Sequence, residues 1–220
     1  MRAARAKASS GPTARGYPRT VPRLYSKEMA HAAERRQMTE AAYLAFEREA
    51  HGKHEYVAGE VFAMAGASLR HNAIVANLVG LLSQALRRGP CRVFPSDLKV
   101  HVSSRDVFTY PDVSVVCGEV AVYPGSSDVV TNPKVVFEVL SDSTERYGRG
   151  DKAGAYRTIP SLSEHVLLVQ HRAHLECYAR QGDGGWVLRE SGAGGAITIA
   201  SLSLPLEVDE VYRGVFDLSG

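Results

Sequence analysis

Pro133-Lys134-Val135-Val136-Phe137-Glu138-Val139-Leu140 is an apolar run with one acid set inside it. Its length and β-branched content predict a strand buried on both faces of a sheet. Glu138 stands mid-run, between Phe137 and Val139. A carboxylate leaving water there is costly unless it is paired or bound to a cation. The plain alternative is a buried ion pair with a structural arginine. The desolvation cost favours a functional carboxylate.

Outward from this strand the pattern is regular. Upstream, residues 92–102 and 106–116 read as two further strands, and Ser68–Arg88 reads as the longest helix. Ile74, Leu78, Leu81, Leu82 and Leu86 mark its apolar stripe, Ser68 is its candidate cap, and Gly89-Pro90 closes it. Before it, His54–Ala65 reads as a β-hairpin turning at Ala58-Gly59, and Thr39–Ala50 as a short helix capped by Thr39. Downstream, a loop through Ser141-Asp142-Ser143-Thr144 leads to a helix over residues 150–158 and a strand over 164–169. Antiparallel strands follow near 175–180, 186–190 and 197–199, with a turn at Gly182-Asp183-Gly184-Gly185. From Ser68 onward the order is α, β, β, β, α, β, which predicts a mixed α/β fold with a central sheet flanked by helices.

Composition narrows the function classes. The 220 residues suit one domain with a tail. No apolar run approaches the ~20 residues of a membrane span, and the N-terminus lacks the apolar segment of a signal peptide. Residues 1–37, rich in Ala, Arg, Ser, Gly and Pro, read as a disordered basic tail ahead of a domain over 38–220. Residues 1–36 carry a charge of +7 against an overall +2, leaving −5 for the rest. A mildly acidic body is a poor nonspecific DNA coat, but it suits a site that gathers carboxylates around a metal. Cys91, Cys117 and Cys177 are odd in number and widely spaced, and read as free buried thiols in a reducing, cytoplasmic setting. The His51/His54 and His171/His174 pairs lack a third ligand in register, which argues against zinc.

Asp112 opens the strand Tyr110-Pro111-Asp112-Val113-Ser114-Val115-Val116, where Pro111 marks a strand start or edge. Alone it reads equally as a turn-capping residue or a ligand. Beside Glu138 on an adjacent strand it forms a carboxylate pair that repels itself unless a cation intervenes. Oxygen donors of this kind favour Mg²⁺ or Mn²⁺.

Tyr110-Pro111-Asp112, then Phe137-Glu138-Val139-Leu140-Ser141, then Arg149-Gly150-Asp151-Lys152 resembles the Uma-type restriction endonuclease family of the PD-(D/E)xK nuclease superfamily. The resemblance runs from about Met38 to the C-terminus. It includes His54-Glu55-Tyr56 through Gly59-Glu60, and Leu69-Arg70-His71-Asn72. It implies a restriction-endonuclease-like α-β-β-β-α-β core, Asp112 and Glu138 as metal ligands, and Mg²⁺ or Mn²⁺ as cofactor. It further implies phosphodiester hydrolysis in nucleic acid, DNA above all, by a possible homodimer. The superfamily's lysine normally follows the glutamate by two residues, where this chain has Leu140; the Uma-type branch supplies it from the next helix, at the position of Lys152. Asp142 and Gly148 also depart from the family's usual proline and aspartate. Asp97-Leu98-Lys99 matches the short motif literally but precedes Asp112, so Lys99 reads as non-catalytic. Glu60, His71 and Asp97 remain auxiliary candidates.

Overall fold

The computed structural model describes residues 37–141 and 148–218. The expected disordered tail, apart from Gln37, and Asp142, Ser143 and Thr144 of the loop lie outside the described residues. Gln37, expected in the tail, bridges Glu60.

Two helices and a hairpin form as their caps and turns dictate. Helix α1 (Glu40–Glu49) starts where Thr39 accepts a hydrogen bond from the Ala42 amide. Strands β1 (His54–Val57) and β2 (Glu60–Ala63) turn through Ala58 and Gly59, both with positive φ, as a tight hairpin requires. Helix α2 (Leu69–Leu86) is capped by Ser68, and Ile74, Leu78, Leu82 and Leu86 form its buried stripe; Leu81 is half-buried beside them.

Each of the two long strands expected between residues 92 and 116 is broken in two. β3 (Cys91–Pro95) and β4 (Lys99–Val102) are separate, as are β5 (Val107–Thr109) and β6 (Val113–Cys117). β3 and β6 pair in one sheet, and β4 and β5 in another, so this antiparallel pair crosses from sheet to sheet. Pro95 and Pro111 sit at the crossings, where a missing N–H makes a ladder easiest to end.

The larger sheet runs β11-β10-β9-β8-β6-β3, with β8 (Val135–Leu140), β9 (Glu164–Val169), β10 (His174–Arg180) and β11 (Trp186–Gly192). β3, β6 and β8 are antiparallel neighbours, and β9 is parallel to β8. A helical turn over Gly148–Lys152 followed by α3 (Ala153–Tyr156) connects toward β9, completing the expected α-β-β-β-α-β order. The smaller sheet runs β2-β1-β5-β4-β7, with β7 (Val129–Val130) parallel to β4. β12 (Ala196–Ile199) and β13 (Leu204–Glu207) form a ribbon leading to α4 (Val208–Val211).

The two faces of the larger sheet bury different partners. Val113, Val115, Val135, Phe137 and Val139 pack with α2, the ribbon and α4 in one apolar core. Val136 faces the other way and packs with Tyr156, Ile159 and Leu162 and with Val57, Phe62, Val100 and Val107 of the smaller sheet. Glu138 belongs to this second face by strand alternation.

Two of the cysteines are not free. Antiparallel register sets Cys91 directly opposite Cys117, and the two form a disulfide. Their separation of 26 residues hides that closeness in the sequence. Cys177 is a free thiol, buried as expected.

Candidate active site

Asp112 stands where the chain passes from the smaller sheet into β6. The β6–β8 register pairs Val113 with Phe137, so Asp112 lies one step further, opposite Glu138. Its Oδ2 accepts a hydrogen bond from the Val139 amide at 2.7 Å, and its Oδ1 is 3.0 Å from His71 Nε2. The carboxylate is therefore fixed from both sides, by a backbone donor of β8 and by the first turn of α2. Burial opposes charge on His71, but the hydrogen bond and charge of Asp112 outweigh it and raise its pKa.

Glu138 is buried in the middle of β8. Its Oε1 accepts a hydrogen bond from the Tyr156 hydroxyl at 2.6 Å and lies 2.9 Å from Lys152 Nζ. Lys152 ends the helical turn 148–152, and its ammonium also lies 3.0 Å from Glu55 Oε1 on β1. Thr109 of β5 donates to the same Glu55 oxygen. Five elements thus converge: β1, β5, β8, the 148–152 turn and α3. Gly148 allows the turn its close approach, since a Cβ there would come 2.5 Å from Leu140 Cδ2.

Electrostatics tie these groups together. Burial pushes Glu138 up to about 7, and Asp112 adds to the rise while Lys152 and Tyr156 pull against it. Burial likewise opposes charge on Lys152, yet Glu138 and Glu55 hold its pKa well above the ordinary value. So the lysine is held as a cation, while burial and Asp112 together outweigh it at Glu138, where further positive charge would be welcome. A divalent cation between Asp112 and Glu138 would supply it. Carboxylate oxygens are the donors that Mg²⁺ and Mn²⁺ take, so the residues present fit such an ion.

Of the residues expected from sequence, Asp112, Glu138, Lys152 and His71 are brought together. Asp97 is not in their company: it sits in the turn between β3 and β4, 88% exposed, paired with Lys53 at 2.6 Å. Lys99, expected to be non-catalytic, pairs with Asp128 and donates to Tyr110. Glu60 lies at the turn end of the hairpin, opposite Val57. The hairpin acid that reaches the site is Glu55. Its signal is fainter than that of Glu138, since it stands between His54 and Tyr56 in a four-residue strand. Tyr156 was also missed, since a helical tyrosine after Lys152 reads as core.

Residues 40–211 match the Uma2 family, described as "Putative restriction endonuclease". The chain belongs to the Uma2 family. Two relatives come from Synechocystis sp. (strain ATCC 27184 / PCC 6803 / Kazusa). The uncharacterized protein slr1290 is 35% identical over 173 residues, 79% of this chain and 90% of that one. The uncharacterized protein sll1609 is 37% identical over 153 residues, 70% of this chain and 86% of that one. The Uma2 fold also aligns with a crystal structure from Anabaena variabilis ATCC 29413 described as "a putative nuclease belonging to DUF820". The TM-score is 0.62 at 16% identity, covering 81% of this chain and 99% of that one, so this likeness speaks for the fold. Among the described residues no helix is long and apolar enough to cross a membrane.

Proposed function

We propose that this Uma2-family chain is a metal-dependent endonuclease that hydrolyses phosphodiester bonds, with DNA as substrate. The observation that carries the reading is the buried Glu138, opposite Asp112 and 2.9 Å from the Lys152 ammonium. Two carboxylates and one fixed cation on a sheet surface form a charge pattern suited to a phosphate and a water.

Mg²⁺ or Mn²⁺ held by Asp112 and Glu138 would supply Lewis acidity toward a phosphate oxygen and a more acidic water. The chain's own residues do the rest. The Val139 amide and His71 hold Asp112 in one orientation. Tyr156 holds Glu138 by its Oε1. Lys152, kept charged by Glu138 and Glu55, places an ammonium where negative charge builds on the phosphoryl oxygens. Thr109 holds Glu55 in turn. A second copy of the chain is the expected partner if both strands of a duplex are cut.

Incubation with supercoiled plasmid DNA and Mg²⁺ or Mn²⁺ tests the reading. Nicked and linear products that vanish with EDTA and in Asp112→Ala support it. Cleavage that persists unchanged in Asp112→Ala, or no cleavage of DNA or RNA with either ion, overturns it.

A further inference from the structure

A second group of ligating side chains lies on the face of the larger sheet that carries Glu138. Strand register sets Glu138 beside Leu167 of β9, Leu167 beside Glu176 of β10, and Glu176 beside Glu190 of β11. Three glutamates and one leucine thus form a single row across four strands. His174 lies two residues before Glu176 on β10, hence on the same face. One ligand atom from each of His174, Glu176 and Glu190 lies within 4.8 Å of the others.

We propose that His174, Glu176 and Glu190 form a second cation site, taking a divalent transition metal such as Zn²⁺ or Co²⁺. Like charges directly opposite on paired strands repel, and Glu176 and Glu190 are such a pair. His174 Nε2 lies 3.3 Å from Glu190 Oε1 and 3.7 Å from Glu176 Oε1, so an imidazole nitrogen and two carboxylate oxygens converge. Arg149 binds Glu176 through Oε2 and leaves Oε1 turned toward His174. Glu176 is buried and Glu190 is half-exposed, so the inner ligand is rigid and the outer side is open for water to complete the coordination shell. An imidazole with carboxylates suits Zn²⁺ and its first-row neighbours better than Mg²⁺.

Distance separates this site from the first. Glu138 and Glu176 are two strand spacings apart, about 10 Å. Paired metals that share one phosphoryl group stand about 3.5–4 Å apart. The second ion is therefore its own site. It bears on the first through the helical turn 148–152, in which Arg149 grips Glu176 and Lys152 grips Glu138. An occupied second site fixes Glu176 and so anchors the turn that presents Lys152. The His171/His174 spacing gave no zinc motif because the other ligands come from β10 itself and across the ladder from β11.

Titration of Co²⁺ and Zn²⁺ alone, followed by calorimetry and by Co²⁺ absorption, tests this on the full chain. Glu138→Ala should keep the site. His174→Ala and Glu190→Gln should each weaken binding there by about 10–100-fold, at least the loss seen for outer-shell partners. Their circular dichroism and Mg²⁺ binding should match the wild type. Glu190 is the safer variant for folding because it is half-exposed. Equal Co²⁺ affinity in wild type, His174→Ala and Glu190→Gln overturns the proposal, as does failure of Glu138→Ala to bind either metal. Because no DNA cleavage enters the readout, the nuclease reading stands or falls separately.

Discussion

Along β8, Val135, Phe137 and Val139 enter an apolar core beneath α2, whereas Glu138 between them meets Lys152, Tyr156 and Asp112 on the opposite face. The same strand serves two environments because its side chains alternate. The apolar face is complete as folded: aliphatic side chains from α2, the sheet and the ribbon fill it. The polar face holds buried Glu55, Glu138, Lys152, Glu176 and His165. Burial, helped by the nearby charges of Arg157 and Lys152, pushes His165 down to about 3, so it stays neutral there. Both faces bury apolar side chains, but only the second also carries buried charge, whose balance a cation would complete.

The sharpest way to break this contrast is to cut adjacent residues of β8. Phe137→Ala should cost about 3–5 kcal/mol in chemical denaturation, with Mg²⁺ affinity of the folded fraction unchanged. Glu138→Ala should lower the plasmid cleavage rate by about 10³-fold or more, about 4 kcal/mol of barrier, with a smaller loss of stability than Phe137→Ala because Lys152 keeps Glu55 as its partner. Equal loss of stability in both would erase the distinction between the faces.

Lys152→Ala tests whether the polar face carries uncompensated charge. It leaves Glu138 and Glu55 without their shared cation, and removing one partner of a buried pair costs about 3–5 kcal/mol. Saturating Mg²⁺ should restore part of the lost stability in this variant, measured as a rise in Tm larger than in the wild type. A Tm that ignores Mg²⁺ would count against a cation site beside Glu138.

The pH dependence has a defined sign. Glu138 titrates near 7, above its ordinary value, so the folded state holds more protons than the unfolded state between those two values. Without metal, this group's contribution to stability is present at low pH and falls as pH rises through that window. Metal must displace the proton, so calorimetry in buffers of differing ionisation enthalpy should show proton release at pH 6 and almost none at pH 8.5.

The smallest effect separates the two hairpin acids. Glu55→Gln should slow cleavage by about 10-fold, as loss of a supporting partner does, with Mg²⁺ affinity retained. Glu60→Gln should leave the rate unchanged. Equal losses would return Glu60 to the site.

Much of this was legible in the residues. Glu138 announced itself because a carboxylate amid valines breaks the pattern of its strand, and the caps at Thr39 and Ser68 and the Ala58-Gly59 turn are local signals that the fold obeys. Glu55 carried the Glu138 signal more faintly, in a four-residue strand where Glu60 offered an equally plausible reach. Pro111 already marked a strand start, whereas the break at Pro95 was hidden because both halves of that strand keep β-forming residues, and only the sheet-to-sheet crossing reveals the bend. The Cys91–Cys117 bond and the His174–Glu176–Glu190 group depend on strand register, which residue spacing along the chain does not encode.

The most direct test of the central claim is calorimetric titration of Mg²⁺ into the wild type and Glu138→Ala, with folding of both verified by circular dichroism. The wild type should bind Mg²⁺, and Glu138→Ala should show no binding over the same range. Equal binding by both would place the cation elsewhere and reduce Glu138 to a structural partner of Lys152.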